Sequence, residues 1–325
     1  MSIPYVMPDD PRYGESVELR PWLRRVVARN PGKFSGPGSG TYIVGRGDVA
    51  VIDPGPILNS HKDALLAALE GETVTRILVT HCHSDHSPLA AWLSEQTGAP
   101  TVGHGPHVLN TEWVDDDTEP YVPDEDDLAA KAAMEADGGQ MEESVDTAFA
   151  PDIVVRTGDV AASGDGWTLT AVHTPGHTSN HTAYWLPEHR ALFTGDHIMG
   201  WSTTVITPPD GDMRDYFESL AKVQALDPAT LWPTHGAVIS DVQPFVAAFV
   251  QHRLDRERNI LACVREGETS IRRIVERLYV GVNPKLYRAA ARSVLAHMMK
   301  LIEDGLVRCD AAQPGVTTPY YPTSA

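Results

Sequence analysis

The sequence predicts an α+β fold with a separate helical part at its C-terminal end. Short apolar runs recur through the first 250 residues, several of them end in turns rich in His and Asp, and helical periodicity follows. We therefore expect a larger domain over residues 1–250, with the His- and Asp-rich turns, and a smaller helical domain over residues 251–325. Strands are predicted at residues 41–44, 50–52, 77–80, 100–102, 167–172, 182–185, 191–194 and 230–232.

Helices are predicted where apolar residues recur every three or four positions. Residues 89–93 follow Pro88, which suits a first helical turn, and residues 213–226 carry an apolar stripe on a polar segment. Further helices are predicted at residues 128–136, 245–265, 271–279 and 284–303, and a hairpin at 306–308 and 318–321. Three helices followed by a hairpin indicate a winged-helix-like C-terminal domain.

The run from His81 to His86 contains three histidines and one aspartate directly after the predicted strand at residues 77–80. In an extended turn, His81 and His83 can point at one ion, whereas Asp85 and His86 face a second position. A turn between a strand and a helix is also where α/β proteins usually build sites. The run therefore predicts a metal site.

Three further ligand candidates, His177, Asp196 and His235, each follow an apolar run that predicts a strand. Because these residues all leave strand ends, we expect them to meet the histidine run at one edge of the fold. Cys82 lies between two of the candidate ligands, where strand alternation points it away from the metals, so we expect a packed thiol.

These motifs resemble those of the metallo-β-lactamase superfamily. Residues 30–32, 40–45 and 51–56 are also similar to the opening strands of that family. The resemblance implies a four-layered αββα sandwich, in which two facing β-sheets lie between outer helices and the site lies at one edge. It also implies a ligand set: His81, His83 and His177 for one metal, Asp85, His86 and His235 for the other, and Asp196 as the bridge.

Five histidines with a bridging aspartate resemble the glyoxalase II type, because the commonest antibiotic-hydrolysing class uses a cysteine in its second position. The resemblance implies two divalent ions, for which Zn suits imidazole and carboxylate ligands best and Fe or Mn are alternatives. A hydroxide bridging the metals would attack the substrate, and Asp85 would orient it or pass on its proton. Asp53 would accept a hydrogen bond from a ligand imidazole or a nearby backbone N–H and so fix ring orientation.

The formal net charge of −18 is unevenly distributed. Residues 112–146 contain fourteen acidic residues and one lysine, and we interpret about 107–150 as an acidic insertion. A charge run is usually solvated, so a solvated insertion is favoured over a mobile lid or an acidic contact surface. His104 and His107, just before the run, are candidates for the mouth of the site.

The C-terminal part has the opposite balance, with twelve basic and seven acidic residues between positions 252 and 308. Residues 268–274 and 297–307 resemble the winged-helix segment of the lactamase-β-2-like branch of the superfamily. In that branch the segment packs on the catalytic domain or helps to form dimers, so a homodimer is expected as one arrangement here.

The branch implies two functions for the same metal chemistry. One is hydrolysis of a small-molecule ester, thioester or lactone/lactam carbonyl, and the other is cleavage of single-stranded RNA, an activity attributed to animal members. The loop after Asp196 has no Lys or Arg before Arg214, whereas a nuclease groove needs positive charge or stacking platforms. We therefore favour a small-molecule substrate, with Trp201 as the candidate substrate contact and RNA as the alternative.

Two other classes receive less support. A DNA-binding regulator could use Lys285, Tyr287, Arg288 and Arg292 as recognition-helix residues, but such a protein does not need a full ligand set. A two-iron redox protein of this superfamily carries a flavin domain, and none is visible after residue 250. The opening residues resemble no signal peptide and no apolar run reaches membrane-spanning length, so we expect a cytoplasmic enzyme without a membrane partner.

Overall fold

The computed structural model describes residues 3–7, 10–108, 110, 112–117, 123–139, 145–281 and 286–323. Two β-sheets lie face to face, and helices cover the outer side of each sheet. The four-layered αββα arrangement and the α+β class are therefore confirmed. Among the described residues, no helix is both long and apolar enough to cross a membrane, and the cytoplasmic location stays a prediction.

The first sheet contains seven strands in chain order, antiparallel at its start and parallel from the fourth strand onward. Its parallel strands deliver their carboxyl ends to one edge of the sheet, which is where sites form in such sheets. The strands are β1 (Val17–Arg20), β2 (Leu23–Val27), β3 (Gly40–Arg46), β4 (Asp48–Ile52), β5 (Thr73–Leu78), β6 (Thr101–Gly103) and β7 (Ile153–Val154).

The second sheet contains five strands in the order β12, β11, β10, β9, β8, with only the β11 and β12 pair parallel. These strands are β8 (Val160–Gly164), β9 (Trp167–His173), β10 (Thr182–Leu186), β11 (Ala191–Gly195) and β12 (Thr230–Pro233). The facing sides of the two sheets bury a shared core that includes Tyr42, Phe193 and Trp232. Burial of these large apolar surfaces holds the sheets together.

The outer layers follow from helices with one apolar face. Helices α1 (Asn59–Ala68) and α2 (Leu89–Thr97) pack on the first sheet, and α4 (Met213–Leu226) packs on the second. Helix α3 (Glu125–Ala136) belongs to the acidic insertion. The predicted helices at 89–93, 128–136 and 213–226 are thus present.

Helix α5 (Val242–Arg265) connects the two parts of the chain. Its first half packs against the second sheet through Phe245 and Phe249, and its last turns pack in the C-terminal core through Ile260 and Val264. The predicted boundary between residues 250 and 251 falls inside this continuous helix, and the two domain ranges stay a prediction.

The C-terminal part contains α6 (Ile271–Leu278), α7 (Tyr287–Glu303) and the short antiparallel strands β13 (Val307–Arg308) and β14 (Tyr321–Pro322). The predicted helices and hairpin are therefore present. For most of the described ends, the predicted and observed boundaries differ by no more than two residues. The start of the predicted helix at residues 284–285 lies outside the described residues.

All eight predicted strands are present, but the prediction omitted β1, β2, β7, β8 and α1. Strand β2 contains Arg24 and Arg25, which interrupt its apolar pattern. Both arginines are accommodated because their guanidinium groups reach carbonyl oxygens, Ala68 O for Arg24 and Gly236 O for Arg25. Such long-range partners leave no signal in the local sequence.

Candidate metal centre

The histidine run and the downstream candidates meet at one edge of the sandwich, as predicted. Residues 81–86 follow β5, His177 follows β9, Asp196 directly follows β11, and His235 lies two residues after β12. We call the seven side chains brought together here the histidine cluster: His81, His83, Asp85, His86, His177, Asp196 and His235.

The first half of the cluster consists of three imidazoles. His81 Nε2 lies 2.9 Å from His83 Nδ1, and His177 Nε2 lies 3.1 Å from the same Nδ1 atom. Nitrogens at about 2.0–2.1 Å from a tetrahedral zinc lie about 3.3 Å apart, so the three atoms are spaced as ligands of one ion would be.

The second half combines Asp85, His86 and His235. His235 Nε2 lies 3.2 Å from Asp85 Oδ2, and His86 Nε2 lies 3.5 Å from Asp85 Oδ1. The three side chains offer one ligand atom each within a small common sphere. This grouping is the one that the family resemblance implied for the second metal.

Asp196 lies between the two halves. Its Oδ1 atom lies 3.5 Å from His86 Nε2 and 3.4 Å from His235 Nε2, whereas its Oδ2 atom lies 3.9 Å from His177 Nε2. One carboxylate oxygen thus faces each half, which is the placement expected of a bridging ligand. Its assignment as a ligand remains a prediction, as do the other six.

Four of the imidazoles are anchored through the ring nitrogen that faces away from the cluster. Nδ1 of His86 contacts Asp53, and Nδ1 of His81 contacts Thr80 Oγ1. The corresponding atom contacts the Val205 carbonyl in His177 and the Gly38 carbonyl in His235. Such contacts fix ring orientation and tautomer, which leaves each Nε2 lone pair directed into the cluster.

Asp53 is placed as its sequence position suggested, and it holds more groups than expected. Its Oδ2 atom accepts hydrogen bonds from Thr80 Oγ1 at 2.9 Å and Thr234 Oγ1 at 2.8 Å, besides the His86 contact at 2.9 Å. Oδ1 accepts from the Thr80 backbone N–H at 2.8 Å. Asp53 also has a φ of +51°, an uncommon value outside glycine that is typical of functional sites. It therefore ties β4, β5 and β12 together beneath the cluster.

The two halves differ in their electrostatics. Burial, reinforced by neighbouring imidazoles, holds the pKa of His81 well below its ordinary value and lowers the pKa of His83 to about 3, so both rings are neutral. In the second half burial acts in the same direction, but the carboxylates prevail. Asp85 and Asp196 raise the pKa of His86 well above its ordinary value, and Asp196 raises the pKa of His235 to about 10. Positive charge is thus strongly favoured beside these carboxylates.

The donor set fits divalent metal ions. His86 Nε2 and Asp196 Oδ1 are buried, and neither makes a hydrogen bond with any described residue. The two atoms lie 3.5 Å from each other, and a buried polar atom without a hydrogen bond costs about 1–3 kcal/mol, so an ion bound between them would satisfy both. Neutral imidazoles and carboxylates are ligands for Zn, Fe or Mn, and the cationic charge would replace the protons that the second half otherwise attracts.

Trp201, the candidate substrate contact, lies beside the second half. A Cβ atom at Gly36 would lie 2.7 Å from its indole, and one at Gly236 would lie 2.8 Å from it. The indole therefore packs directly against two glycines, where any larger residue would clash with it. One of them, Gly236, directly follows His235. The indole is a wall next to the cluster, and its contact with a substrate remains a prediction.

The other residues named near the site have clear positions. Cys82 is buried and accepts a hydrogen bond from Asn180 Nδ2 at 2.9 Å, so the predicted packed thiol is confirmed. His104 stacks on His173, and His107 Nδ1 lies 3.6 Å from Asp210 Oδ2. Both histidines are thus engaged with the loops around the cluster, and neither belongs to it.

Sequence reasoning missed several supporting residues. The Asp196 backbone N–H donates to His181 Nε2 at 3.2 Å, and His181 Nδ1 contacts Thr174 Oγ1 at 2.8 Å. His181 follows His177 by four residues, and this spacing was an available signal. Ser39, whose hydroxyl donates to Asp85 Oδ2 at 2.9 Å, carried no such signal because a serine before a strand is common.

Residues 112–117 of the acidic insertion contact the C-terminal part of the chain: Glu112 and Asp115 are exposed, as the solvated interpretation expects, but Asp117 is buried. Asp115 pairs with Arg292, and Asp117 Oδ1 lies 3.3 Å from Arg272. The side chain of Asp117 is only 5 % exposed. Because these acids meet basic partners in the C-terminal domain, we call this stretch the acidic strap.

The basic partners of the acidic strap include two of the suggested recognition-helix residues. Arg288 Nε lies 3.5 Å from Asp117 Oδ2, and its guanidinium also donates to the Asp117 carbonyl at 3.3 Å. We call Arg272, Arg288 and Arg292 the arginine face. Lys285 lies outside the described residues. The arginines that DNA would need are therefore paired within the chain.

The fold and the histidine cluster define a member of a known enzyme superfamily. Residues 35–235 match the profile of the Metallo-beta-lactamase superfamily, and residues 270–313 match that of the Beta-lactamase associated winged helix domain. The chain therefore belongs to the metallo-β-lactamase superfamily, and the family resemblance seen in the sequence is confirmed. It is an enzyme of the hydrolase type.

Individual relatives agree with this assignment. The chain is 32 % identical over 291 residues to a Caenorhabditis elegans protein named Beta-lactamase-like protein 2 homolog, covering 88 % of this chain and 85 % of that protein. It is 30 % identical over 251 residues to an Aspergillus fumigatus protein named Atrochrysone carboxyl ACP thioesterase, covering 76 % and 66 % respectively. A solved structure of a Beta-lactamase domain protein from Burkholderia ambifaria superposes with a TM-score of 0.75 at 23 % identity, covering 96 % of this chain and 95 % of that one.

Proposed function

We propose that this enzyme uses two divalent metal ions to hydrolyse a small-molecule ester, thioester or lactone/lactam carbonyl. The observation that carries the proposal is the convergence of seven ligand-type side chains, two of which contain buried polar atoms that make no hydrogen bond with any described residue. Thioesters are the first class to test, because relatives of 26 to 30 % identity are named as thioesterases.

In this proposal, His81, His83 and His177 would hold one ion, Asp85, His86 and His235 would hold the other, and Asp196 would be shared between the two. Zn fits this donor set best, with Fe or Mn as alternatives. When bound, two such ions supply Lewis-acid polarisation of a carbonyl oxygen and lower the pKa of a water nucleophile towards neutrality.

The residues of the chain supply position and proton handling. Asp53, through His86, fixes one ligand ring, and the contact of His177 with the Val205 carbonyl fixes another. Asp85 is 26 % exposed, in contrast to the buried imidazole of His86, so its carboxylate can reach an attacking water and hold its proton. Trp201 would form an apolar wall for the acyl group.

Cleavage of single-stranded RNA remains the alternative, and the charge distribution supports it less. Of the basic residues on the winged-helix part, three are paired with the acidic strap, and the loop from Asp196 to Gly211 has no Lys or Arg. Phosphate binding relies on available Lys and Arg. If the substrate is a small molecule, the C-terminal domain would pack against the catalytic domain and would not bind the substrate. Dimer formation through the C-terminal domain stays a prediction.

The proposal is tested by loading the full chain with Zn²⁺ or Mn²⁺ and measuring hydrolysis of a panel of acyl N-acetylcysteamine thioesters, esters, lactones and β-lactams. Asp85→Asn keeps the shape of the side chain but removes its charge, so it should lose turnover with every substrate. His189→Ala is a matched control, because His189 lies before β11 at the end opposite Asp196 and stacks on Trp22.

A labelled single-stranded RNA is included in the same assay. Carbonyl hydrolysis that disappears in Asp85→Asn and persists in His189→Ala supports the proposal. RNA cleavage with the same dependence, without carbonyl hydrolysis, would replace it by the nuclease alternative. Turnover that survives in Asp85→Asn would contradict both.

A further inference from the structure

Two buried residues next to β3, Asn30 and Ser39, form a hydrogen-bond relay that ends on Asp85. The Ser39 backbone N–H donates to Asn30 Oδ1 at 2.9 Å, and Asn30 Nδ2 donates to Ser39 Oγ at 2.9 Å. Ser39 Oγ lies 2.9 Å from Asp85 Oδ2. Asn30 is 5 % exposed and Ser39 is 1 % exposed, so solvent does not compete for these bonds.

The direction of the last hydrogen bond follows from the first two. A backbone N–H can only donate, so the atom of Asn30 that faces it must be the amide oxygen. The amide NH₂ group then faces Ser39 Oγ and donates to it. Since the hydroxyl oxygen already accepts from Asn30, its own proton is directed to Asp85. The relay thus presents a fixed donor to one oxygen of the catalytic carboxylate.

This donor matters because Asp85 is the least enclosed carboxylate of the cluster. Its side chain is 26 % exposed, compared with 10 % for Asp196. With Oδ2 held by Ser39, Oδ1 faces His86 Nε2 at a distance of 3.5 Å. Without that donor, Oδ2 would keep only its contact with His235 Nε2 at 3.2 Å, and a terminal carboxylate torsion has broad minima.

We propose that Asn30 and Ser39 are positioning residues that fix the carboxylate plane of Asp85 for the second metal and for proton transfer. This inference rests on the proposed function, because it assigns a task in the same site. Ser39 acts through Asp85, and Asn30 acts through Ser39 by setting the direction of its hydroxyl proton. Neither residue provides a metal ligand in this assignment.

Four variants of the full chain separate this role from a packing role. Ser39→Ala removes the donor, and Ser39→Thr keeps a hydroxyl. Asn30→Asp replaces the amide donor by a carboxylate oxygen, so the Ser39 proton would turn towards position 30 and away from Asp85. Ser35→Ala is the matched control, because Ser35 lies in the same loop and its hydroxyl donates to the Asn30 carbonyl outside the relay.

Zn²⁺ affinity is measured by competition with a chromophoric chelator, and kcat and KM are measured separately. Partners of metal ligands typically contribute about 10–100-fold to affinity or activity. We expect Ser39→Ala and Asn30→Asp to weaken the second Zn²⁺ equivalent and lower kcat by about that factor. In these two variants, the affinity for the first Zn²⁺ equivalent and the KM should be unchanged. Ser39→Thr and Ser35→Ala should behave like the wild type.

Wild-type affinity for both equivalents in Ser39→Ala would overturn the inference. A loss in Ser39→Ala together with wild-type behaviour of Asn30→Asp would overturn the relay, because the direction of the hydroxyl proton would then be irrelevant. A wild-type protein that binds no Zn²⁺ would be a different failure, since it would contradict the proposed function itself.

Discussion

The histidine cluster and the arginine face are both dense groups of charged or ionisable side chains, but they differ in how their charges are compensated. In the arginine face, Arg292 pairs with Asp115, and Arg272 and Arg288 pair with Asp117. In the histidine cluster, His86 Nε2 and Asp196 Oδ1 remain buried without a hydrogen bond to any described residue.

This difference separates a structural contact from a candidate site. When opposite charges of two segments pair with each other, little charge remains for an external ligand to compensate. Buried polar atoms without partners cost free energy unless something else binds them. The cluster that the fold leaves unsatisfied is therefore the one expected to bind an external ion.

The largest effect is expected from Asp196→Asn, which keeps the shape of the bridging residue and removes its charge. Loss of about 4 kcal/mol of transition-state stabilisation corresponds to a fall in kcat/KM on the order of 10³-fold. Steady-state kinetics with metal analysis would measure it. If the variant kept both metals and full activity, the contrast between the two regions would have no functional meaning.

Metal removal should affect stability as well as activity. A ligand that binds only the folded state at 100 times its Kd adds about 2.7 kcal/mol of stability, or a Tm increase on the order of 4 °C for a chain of 325 residues. We expect the chelator-treated protein to unfold at a lower temperature than protein with added Zn²⁺. Calorimetry of both forms measures this, and equal transitions would argue against a metal at the cluster.

A smaller effect is expected from Asp53→Asn. The substitution places an amide NH₂ group among donors from Thr80, Thr234 and His86, so at least one contact must break. Metal affinity should fall about 10–100-fold. Chelator competition measures the change, with Asp63→Asn on helix α1 as a control for loss of an acid. An unchanged affinity would mean that Asp53 only braces the strands.

The smallest effect on the site is expected from Arg288→Ala with Arg292→Ala. Removing these partners leaves Asp117 buried and less compensated, which should destabilise the protein by about 1–3 kcal/mol. Metal content should stay the same. Denaturant unfolding measures the change in the free energy of unfolding. Arg258→Ala is the control, because the Arg258 side chain is 69 % exposed. Loss of metal in the double variant would show that the two regions are coupled.

The candidate ligands could be recognised in the sequence because each one directly follows, or lies within a few residues of, a predicted strand, and their assignment to two metals came from the family resemblance. His81, His83, Asp85 and His86 occupy one six-residue run, so local order alone places them together. The strands that lead to His177 and Asp196 carry strong apolar patterns, and strand ends at one edge of a sheet converge. The ligand set therefore needed no knowledge of long-range side-chain contacts.

The acidic strap could not be interpreted correctly in the same way. Its partners Arg272, Arg288 and Arg292 lie 155 to 177 residues further along the chain. A run of like charges is usually exposed, and nothing near Asp117 in the sequence indicates that its carboxylate is buried. The same holds for the relay of Asn30 and Ser39, which reaches Asp85 only after β3 and the turn that follows β5 come together.

The sequence by itself determined which residues are available as metal ligands and that predicted strands carry them to one edge. The tertiary structure alone decided how those residues are held and which polar atoms are left without a hydrogen bond to a described residue. Local order and periodicity control where a strand ends, whereas compensation of a charge depends on which distant segments the core brings within hydrogen-bond distance.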